Sequence, residues 1–253
     1  MGEHVAPASP TKKRRSNIFW NIVGVVGELL ITFAFVIGLF SVWQLYWTTY
    51  EVSGQVEQTI ASFEEDHQPT KRTQGETRTD DPPEFTREVG VGEVYGLIHV
   101  PTWDWMKIPL AEGTTSDVLD QGWAGHYDMT TQPGGVGNFS VAGHRRTYGN
   151  NFRWIDRLTQ GDKVVVEVDD HYLVYSMVSS EIIDATDPTQ MRVVAPVIDD
   201  VSWSETPTER WMTMTTCHPE YGNWQRFIVH LKFESWTPKD TGVPAELVDE
   251  PQN

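Results

Sequence analysis

The amino-acid sequence predicts an all-β domain, a barrel or sandwich, behind a single N-terminal membrane-spanning helix. Three observations carry this. One long apolar run lies near the front, and eight short β-like runs separated by turn residues follow a polar stretch. In addition, 20 glycines and 15 prolines interrupt the chain too often for many long helices. At 253 residues and 39% hydrophobic, the chain can build one domain of roughly 150 residues plus accessory segments.

The apolar run covers residues 18–47, IFWNIVGVVGELLITFAFVIGLFSVWQLYW, with Glu28 as its only charge. About 20 apolar residues at about 1.5 Å each cross a hydrocarbon core of about 30 Å, so this run spans with room for tilt. Trp20 at one end and Trp43, Tyr46 and Trp47 at the other suit interfacial aromatic belts. Residues 1–17 carry Lys12, Lys13, Arg14 and Arg15 against a single acid, Glu3. That asymmetry predicts a cytoplasmic N-terminus and an extracytoplasmic body, with the protein a single-pass resident of the cell membrane. A cleaved signal peptide is the competing reading. The run is longer than a signal h-region and no A-x-A-like site follows, which favours an uncleaved anchor.

Residues 48–90 are polar, acidic and nearly free of aliphatic periodicity, so a flexible tether is expected there, with at most a brief helical continuation over residues 55–63. The β pattern then begins, over residues 91–236. Its runs are VYGLIHV (94–100), WMKIPL (105–110), GWAGHY (122–127), GNFSVAGH (137–144), KVVVEV (163–168), YLVYSMVSSEIID (172–184), RWMTMTTC (210–217) and QRFIVHLKFESW (225–236). Helical turns are expected at 116–121, 150–158 and 186–191. In the last run Phe227, Val229, Leu231 and Phe233 share one face by period two, which leaves Arg226 off the apolar side. Residues 237–253 read as a disordered tail.

The net charge is −17, and because residues 1–17 are net basic by three, everything after them sums to −20. Such a body repels phosphate backbones, so no nucleic-acid partner is expected. The single cysteine, Cys217, rules out an intramolecular disulfide and a multi-cysteine zinc site. It is either a small buried hydrophobe or a reactive thiol. No cofactor is called for.

Three chemistry-bearing residues fall at strand ends. Cys217 closes the run TMTTC, Arg226 opens the next strand nine residues later, and His144 closes another. If the last two strands pair as a hairpin, Cys217 and Arg226 lie at the same end. A thiol with a pKa of about 8.5 is a strong nucleophile even when little of it is ionised. An imidazole can shuttle its proton, and a guanidinium can stabilise a tetrahedral oxyanion. Taken singly, each residue also has a bland role. Cys217 could be a core residue, His144 a structural histidine, and Arg226 a partner of Glu220 or Asp128. His218 reads as loop or rim, because neighbouring side chains on a strand point apart. His126 reads as groove wall or turn.

TMTTC with Arg226 downstream resembles the cysteine and arginine motifs of sortases, and FSVAGHRRTYG (139–149) resembles the family's histidine segment. The segments GHYDMTTQPGGVGNFSVAGHRRTYG and TTCHPEYGNWQRFIVH are most similar to class E sortases of actinobacteria. Met214 stands where leucine is commoner, a swap that conserves volume. The resemblance implies an eight-stranded β-barrel with Cys217 as nucleophile, His144 as acid/base and Arg226 as oxyanion partner. It further implies Tyr127 and Thr216 as substrate-binding residues. The implied activity is transpeptidation: cleavage of an LAXTG- or LPXTG-like sorting signal between Thr and Gly, then transfer to an amine. The implied partners are surface proteins bearing that signal and an amine of a cell-wall precursor.

Three rivals stand beside this reading. L,D-transpeptidases carry S-H-G-C-x-R, whereas this chain has Thr-Thr-Cys-His-Pro. Pilin-polymerising sortases usually carry an Asp-Pro-aromatic lid, whereas here Asp81-Pro82 is followed by Pro83. A membrane-tethered binding module with an inert cysteine is the non-enzymatic alternative.

Overall fold

The structure, a computed structural model, describes residues 18–251. The basic cluster Lys12–Arg15 and the Tyr46 side chain lie outside the described residues. The chain divides into two compact units, Met1–Trp43 and Gln44–Asn253.

In the first unit helix α1, Ile18–Asp66, begins. Leu30, Ile31, Phe33 and Phe35 are all exposed, so this part of the helix is apolar around its whole circumference. It is long and apolar enough to cross a membrane.

The second unit opens on the polar end of α1 and continues into a barrel. The strands are β1 Val94–Val100, β2 Met106–Glu112, β3 Ala124–His126, β4 Gly137–Ala142, β5 Lys163–Glu167, β6 His171–Asp184, β7 Arg210–His218 and β8 Gln225–Pro238. They close in the order β1-β2-β3-β4-β7-β8-β6-β5. Closure leaves no unpaired edge, which is how a sheet this size avoids pairing with another chain. A short helix, α2 Ser116–Leu119, and four 3-10 turns complete it. Two of those turns, Ile155–Arg157 and Pro188–Val194, lie where helical turns were expected.

Period-two alternation decides which side chains fill the barrel. Phe139 and Val141 of β4, Met212 and Met214 of β7, and Val229 and Leu231 of β8 all enter the central core. Phe227 and Phe233 pack against that core from the two ends of the same face. The alternate residues face the outside of the barrel, where Asn138, Ser140, Thr213 and Ile228 are still buried, Asn138 and Ile228 against the Pro188–Val194 turn and its end.

Two expectations are corrected. The stretch expected as a flexible tether is built into the domain: α1 continues to Asp66 and residues 67–90 run along the barrel. Gly75 N donates to Val243 O at 2.8 Å, and Arg78 and Trp236 exchange two backbone hydrogen bonds. The segment expected as a disordered tail is folded as well. Val243 and Leu247 bury against Val165, Tyr172 and Val174. The signal missed in both places was polar. Order here comes from backbone pairing and buried ion pairs, which leave no hydrophobic period to read.

The densest of those ion pairs surrounds His99, only 2% exposed. Its Nδ1 meets Glu250 at 2.8 Å and its Nε2 meets Glu167 at 2.7 Å. Lys239 reaches Glu167 at 2.7 Å, while Lys107 bridges Glu250 and Glu64. Burial opposes a charge on His99, but the two carboxylates outweigh it and raise its pKa to about 9. The same network ties the C-terminal segment and the end of α1 to strands β1, β2 and β5.

Candidate active site

The site forms where β4, β7 and β8 end on one side of the barrel wall. Strand β7 pairs antiparallel with β8, setting Cys217 directly opposite Arg226 and Thr215 opposite Ile228. Directly paired residues point to the same face with Cβ atoms about 5 Å apart. Thr216 is paired with the inward Phe227, so Cys217 and Arg226 belong to the outer face. Strand β4 pairs parallel with β7, ending at Ala142 opposite Thr215. Beyond Ala142 the chain runs on through Gly143, still hydrogen-bonded to β7, into His144.

Two hydrogen bonds hold this extension in place. Gly143 N donates to Thr215 O at 3.1 Å, and Thr216 Oγ1 donates to Gly143 O at 2.6 Å. Glycine is needed here because a Cβ at position 143 would lie 2.8 Å from the Phe152 ring. Phe152 N then donates to His144 O at 3.0 Å, turning the chain as it leaves the strand.

Each expected site residue has a definite place. Cys217 is partly exposed and carries a free thiol. His144 donates or accepts through Nε2 at 2.7 Å from Asp120 Oδ1, and its ring lies 5.4 Å from that of Tyr148. Arg226 donates from one guanidinium nitrogen to Asn223 O at 2.7 Å and Gln225 O at 2.9 Å, so it rests on its own loop. Glu220, weighed as its partner, pairs with Arg146 instead.

Tyr127 is half-buried beneath the same face, with its hydroxyl 2.9 Å from Thr215 Oγ1. Burial raises its pKa against the opposing effects of that hydrogen bond and of Arg226, so it remains a neutral O–H. Thr216, expected to touch substrate, is 3% exposed and its hydroxyl is spent on Gly143. Its position is that of a brace between the cysteine strand and the histidine turn. His126 is fully buried, bonded to Glu112 at 2.8 Å and to Thr131 O at 3.0 Å, which makes it wall rather than groove lining.

Two residues escaped sequence reasoning. Arg145 is buried and donates to Cys217 O at 3.4 Å, to His218 Nδ1 at 2.9 Å and to Asp156 at 2.9 Å. It therefore locks the turn after His144 to the end of the cysteine strand and fixes His218 as an acceptor at the rim. Asp120 was hidden because it lies 24 positions before His144, at the end of α2. No local spacing rule connects the two. Among the described residues, no cluster of His, Cys, Asp and Glu is arranged to hold a metal ion.

The arrangement sets a thiol directly opposite a guanidinium and ties the segment that leads into an imidazole to the same strand, groups that acyl transfer can use. Comparison with known proteins agrees. The Sortase domain family matches residues 98–234. Sortase SrtE1 of Streptomyces coelicolor is 35% identical over 229 residues, which cover 88% of this chain and 60% of that protein. The chain thus spans about three fifths of that relative's length. The structure of SrtA sortase from Actinomyces oris superposes with a TM-score of 0.64 at 43% identity, covering 70% of this chain and 99% of that one. Sortase E1 from Streptomyces coelicolor, solved with a tripeptide in its active site, gives a TM-score of 0.55 at 38% identity, with coverages of 62% and 97%. The closed eight-stranded barrel, the family match over more than half the chain and these relatives together establish that this chain belongs to the sortase family of cysteine transpeptidases, on its class E-like side.

Proposed function

We propose that this chain is a membrane-anchored sortase that cuts an LAXTG- or LPXTG-like signal between Thr and Gly and joins the carrier protein to a cell-wall amine. The observation that supports the reading is the register that pairs Cys217 with Arg226, together with the hydrogen bonds that tie Gly143, the neighbour of His144, to Thr215 and Thr216 of the cysteine strand. Cys217 Sγ attacks the threonine carbonyl carbon, and the C–N bond breaks as His144 gives a proton to the departing glycine amine. The acyl group is then a thioester on Cys217. An incoming amine attacks it, the C–S bond breaks, and His144 passes the amine's surplus proton to the departing Cys217 sulfur.

Arg226 bears on the oxyanion of both tetrahedral intermediates. At rest one nitrogen of its guanidinium holds Asn223 O and Gln225 O, which leaves its remaining N–H groups to meet the developing charge. A fixed guanidinium rather than an ammonium suits this task because it stays charged and can hold the backbone while donating elsewhere. Tyr127, a neutral hydroxyl beside Thr215, lines the approach to Cys217 and contacts the bound peptide. The apolar start of α1 anchors the protein with its N-terminus in the cytoplasm and the barrel outside. The grounds for the orientation are the basic residues Lys12 to Arg15 on one flank of the run.

The experiment is cleavage and amine ligation of LAXTG and LPXTG peptides by the full chain in detergent, beside Cys217→Ala. Ligation that disappears in the variant, with its acyl-enzyme, is the expected outcome. Turnover that survives Cys217→Ala would overturn the mechanism. Failure on both peptides despite rapid alkylation of Cys217 would overturn the proposed signal.

A further inference from the structure

The contact between His144 Nε2 and Asp120 Oδ1, at 2.7 Å, is a carboxylate–imidazole pair set beside the nucleophile. The two side chains are 25% and 34% exposed, so the pair is not a deep ion pair whose worth is mainly stability. Its geometric effect is specific. A carboxylate beside Nε2 keeps the proton on that nitrogen, which leaves Nδ1 as the one that accepts and returns a proton. Among the described residues, Nδ1 of His144 has no hydrogen-bond partner.

Asp120 itself is held from behind. It caps α2, with its N–H bonded to Ser116 O and Val118 O. Two residues on, Gly122 adopts φ +79, and a Cβ there would lie 2.8 Å from Val56 and 3.5 Å from Val52 of α1. A Cβ at Gly149, φ +86, would likewise lie 3.3 Å from Gly122 Cα and 3.5 Å from Val52. Gln55 donates to Gln121 at 2.8 Å. One face of α1, three residues along a single turn, therefore braces both loops that flank the histidine: 120–122, which presents Asp120, and 148–149, which presents the Tyr148 ring.

On the proposed transpeptidase reading, we infer that Asp120 is the positioning residue that fixes the Nε2–H form of His144, and that the Val52–Val56 face of α1 fixes Asp120. The segment just beyond the apolar run is then part of the catalytic apparatus rather than a spacer.

The test uses the full chain in detergent. Histidine-labelled 15N spectra, taken at alkaline pH and assigned by loss of the signal in His144→Gln, read the tautomer directly. The expected spectrum has a protonated Nε2 and a bare Nδ1, and Asp120→Ala averages the two nitrogens. In the peptide ligation assay, Asp120→Ala and Asp120→Asn lower kcat about 10- to 100-fold with KM within about twofold, a share of the roughly 10²–10⁴ that proton transfer contributes. Val52→Ser with Val56→Ser lowers kcat several-fold in the same way, and adds little to Asp120→Ala, as expected of coupled sites.

A protonated Nδ1 in the parent chain, or unchanged kcat in both Asp120 variants, overturns the role of Asp120. Strict additivity of the valine and aspartate effects overturns the role of α1. The spectrum reads the tautomer with or without turnover, so an inactive parent chain would refute the transpeptidase reading while the inference about Asp120 is still decided.

Discussion

Replacing Glu250 by Gln is a sensitive probe of whether the C-terminal segment is structural. Glu250 is 6% exposed, touches His99 at 2.8 Å and Lys107 at 3.1 Å, and belongs to the stretch that composition alone marks as disordered. The amide keeps the shape and one acceptor, so the loss is chiefly of charge. Raising His99 from 6.5 to about 9 corresponds to roughly 3 kcal/mol, at about 1.4 kcal/mol per pH unit. Two carboxylates share that effect, which assigns about 1–2 kcal/mol to Glu250 and a drop in midpoint of about 3–8 °C for a domain this size. The pH dependence follows from the signs. His99 has its folded pKa raised, so its contribution is complete below pH 6.5 and is lost as pH rises through about 9. Glu250 has its folded pKa lowered, so its contribution is present above about pH 4.5 and is lost below it. The gap between parent and variant should therefore be widest between about pH 4.5 and 6.5 and should narrow towards pH 10, where the Lys107 contact is still charged. Thermal unfolding of the full chain in detergent, followed by tryptophan fluorescence across that range, measures it. Equal midpoints at pH 6, or a gap that does not change up to pH 10, would refute the reasoning.

Thr216→Val keeps the volume but removes the hydroxyl that reaches Gly143 O, so it should cost about 1–3 kcal/mol of stability and lower kcat more than it raises KM. A variant with normal kcat and stability but a raised KM would restore Thr216 as a substrate contact. Arg145→Ala strands Asp156 and unties His218 from the histidine turn, and should lower stability by about 3 kcal/mol in chemical denaturation while reducing ligation by the full chain. An unchanged denaturation midpoint would show that this arginine does not clamp the two loops.

Much of the barrel is legible because apolar alternation is local. β1 was legible from Val94 to Val100, and the inward set Phe227, Val229, Leu231 and Phe233 can be read from spacing alone. The apolar run of α1 declares itself by length and composition. The identities of Cys217, His144 and Arg226 as chemistry-bearing groups at strand ends are likewise in the sequence, and so is the family they resemble. Tertiary structure decided what those groups touch. The parallel pairing of β4 with β7 joins segments that no local rule connects, and it ties Gly143, the residue before His144, to the cysteine strand. Asp120 meets His144, Thr216 turns inward to Gly143, and Arg226 rests on its loop carbonyls only because the closed barrel fixes those directions. The segments after residue 48 and after residue 237 mislead for the same physical reason. Their order is stabilised by hydrogen bonds and buried charge pairs with distant residues, Gly75 with Val243 and Glu250 with His99 among them. Such partners are supplied by the fold, whereas hydrophobic period is a property each segment carries by itself.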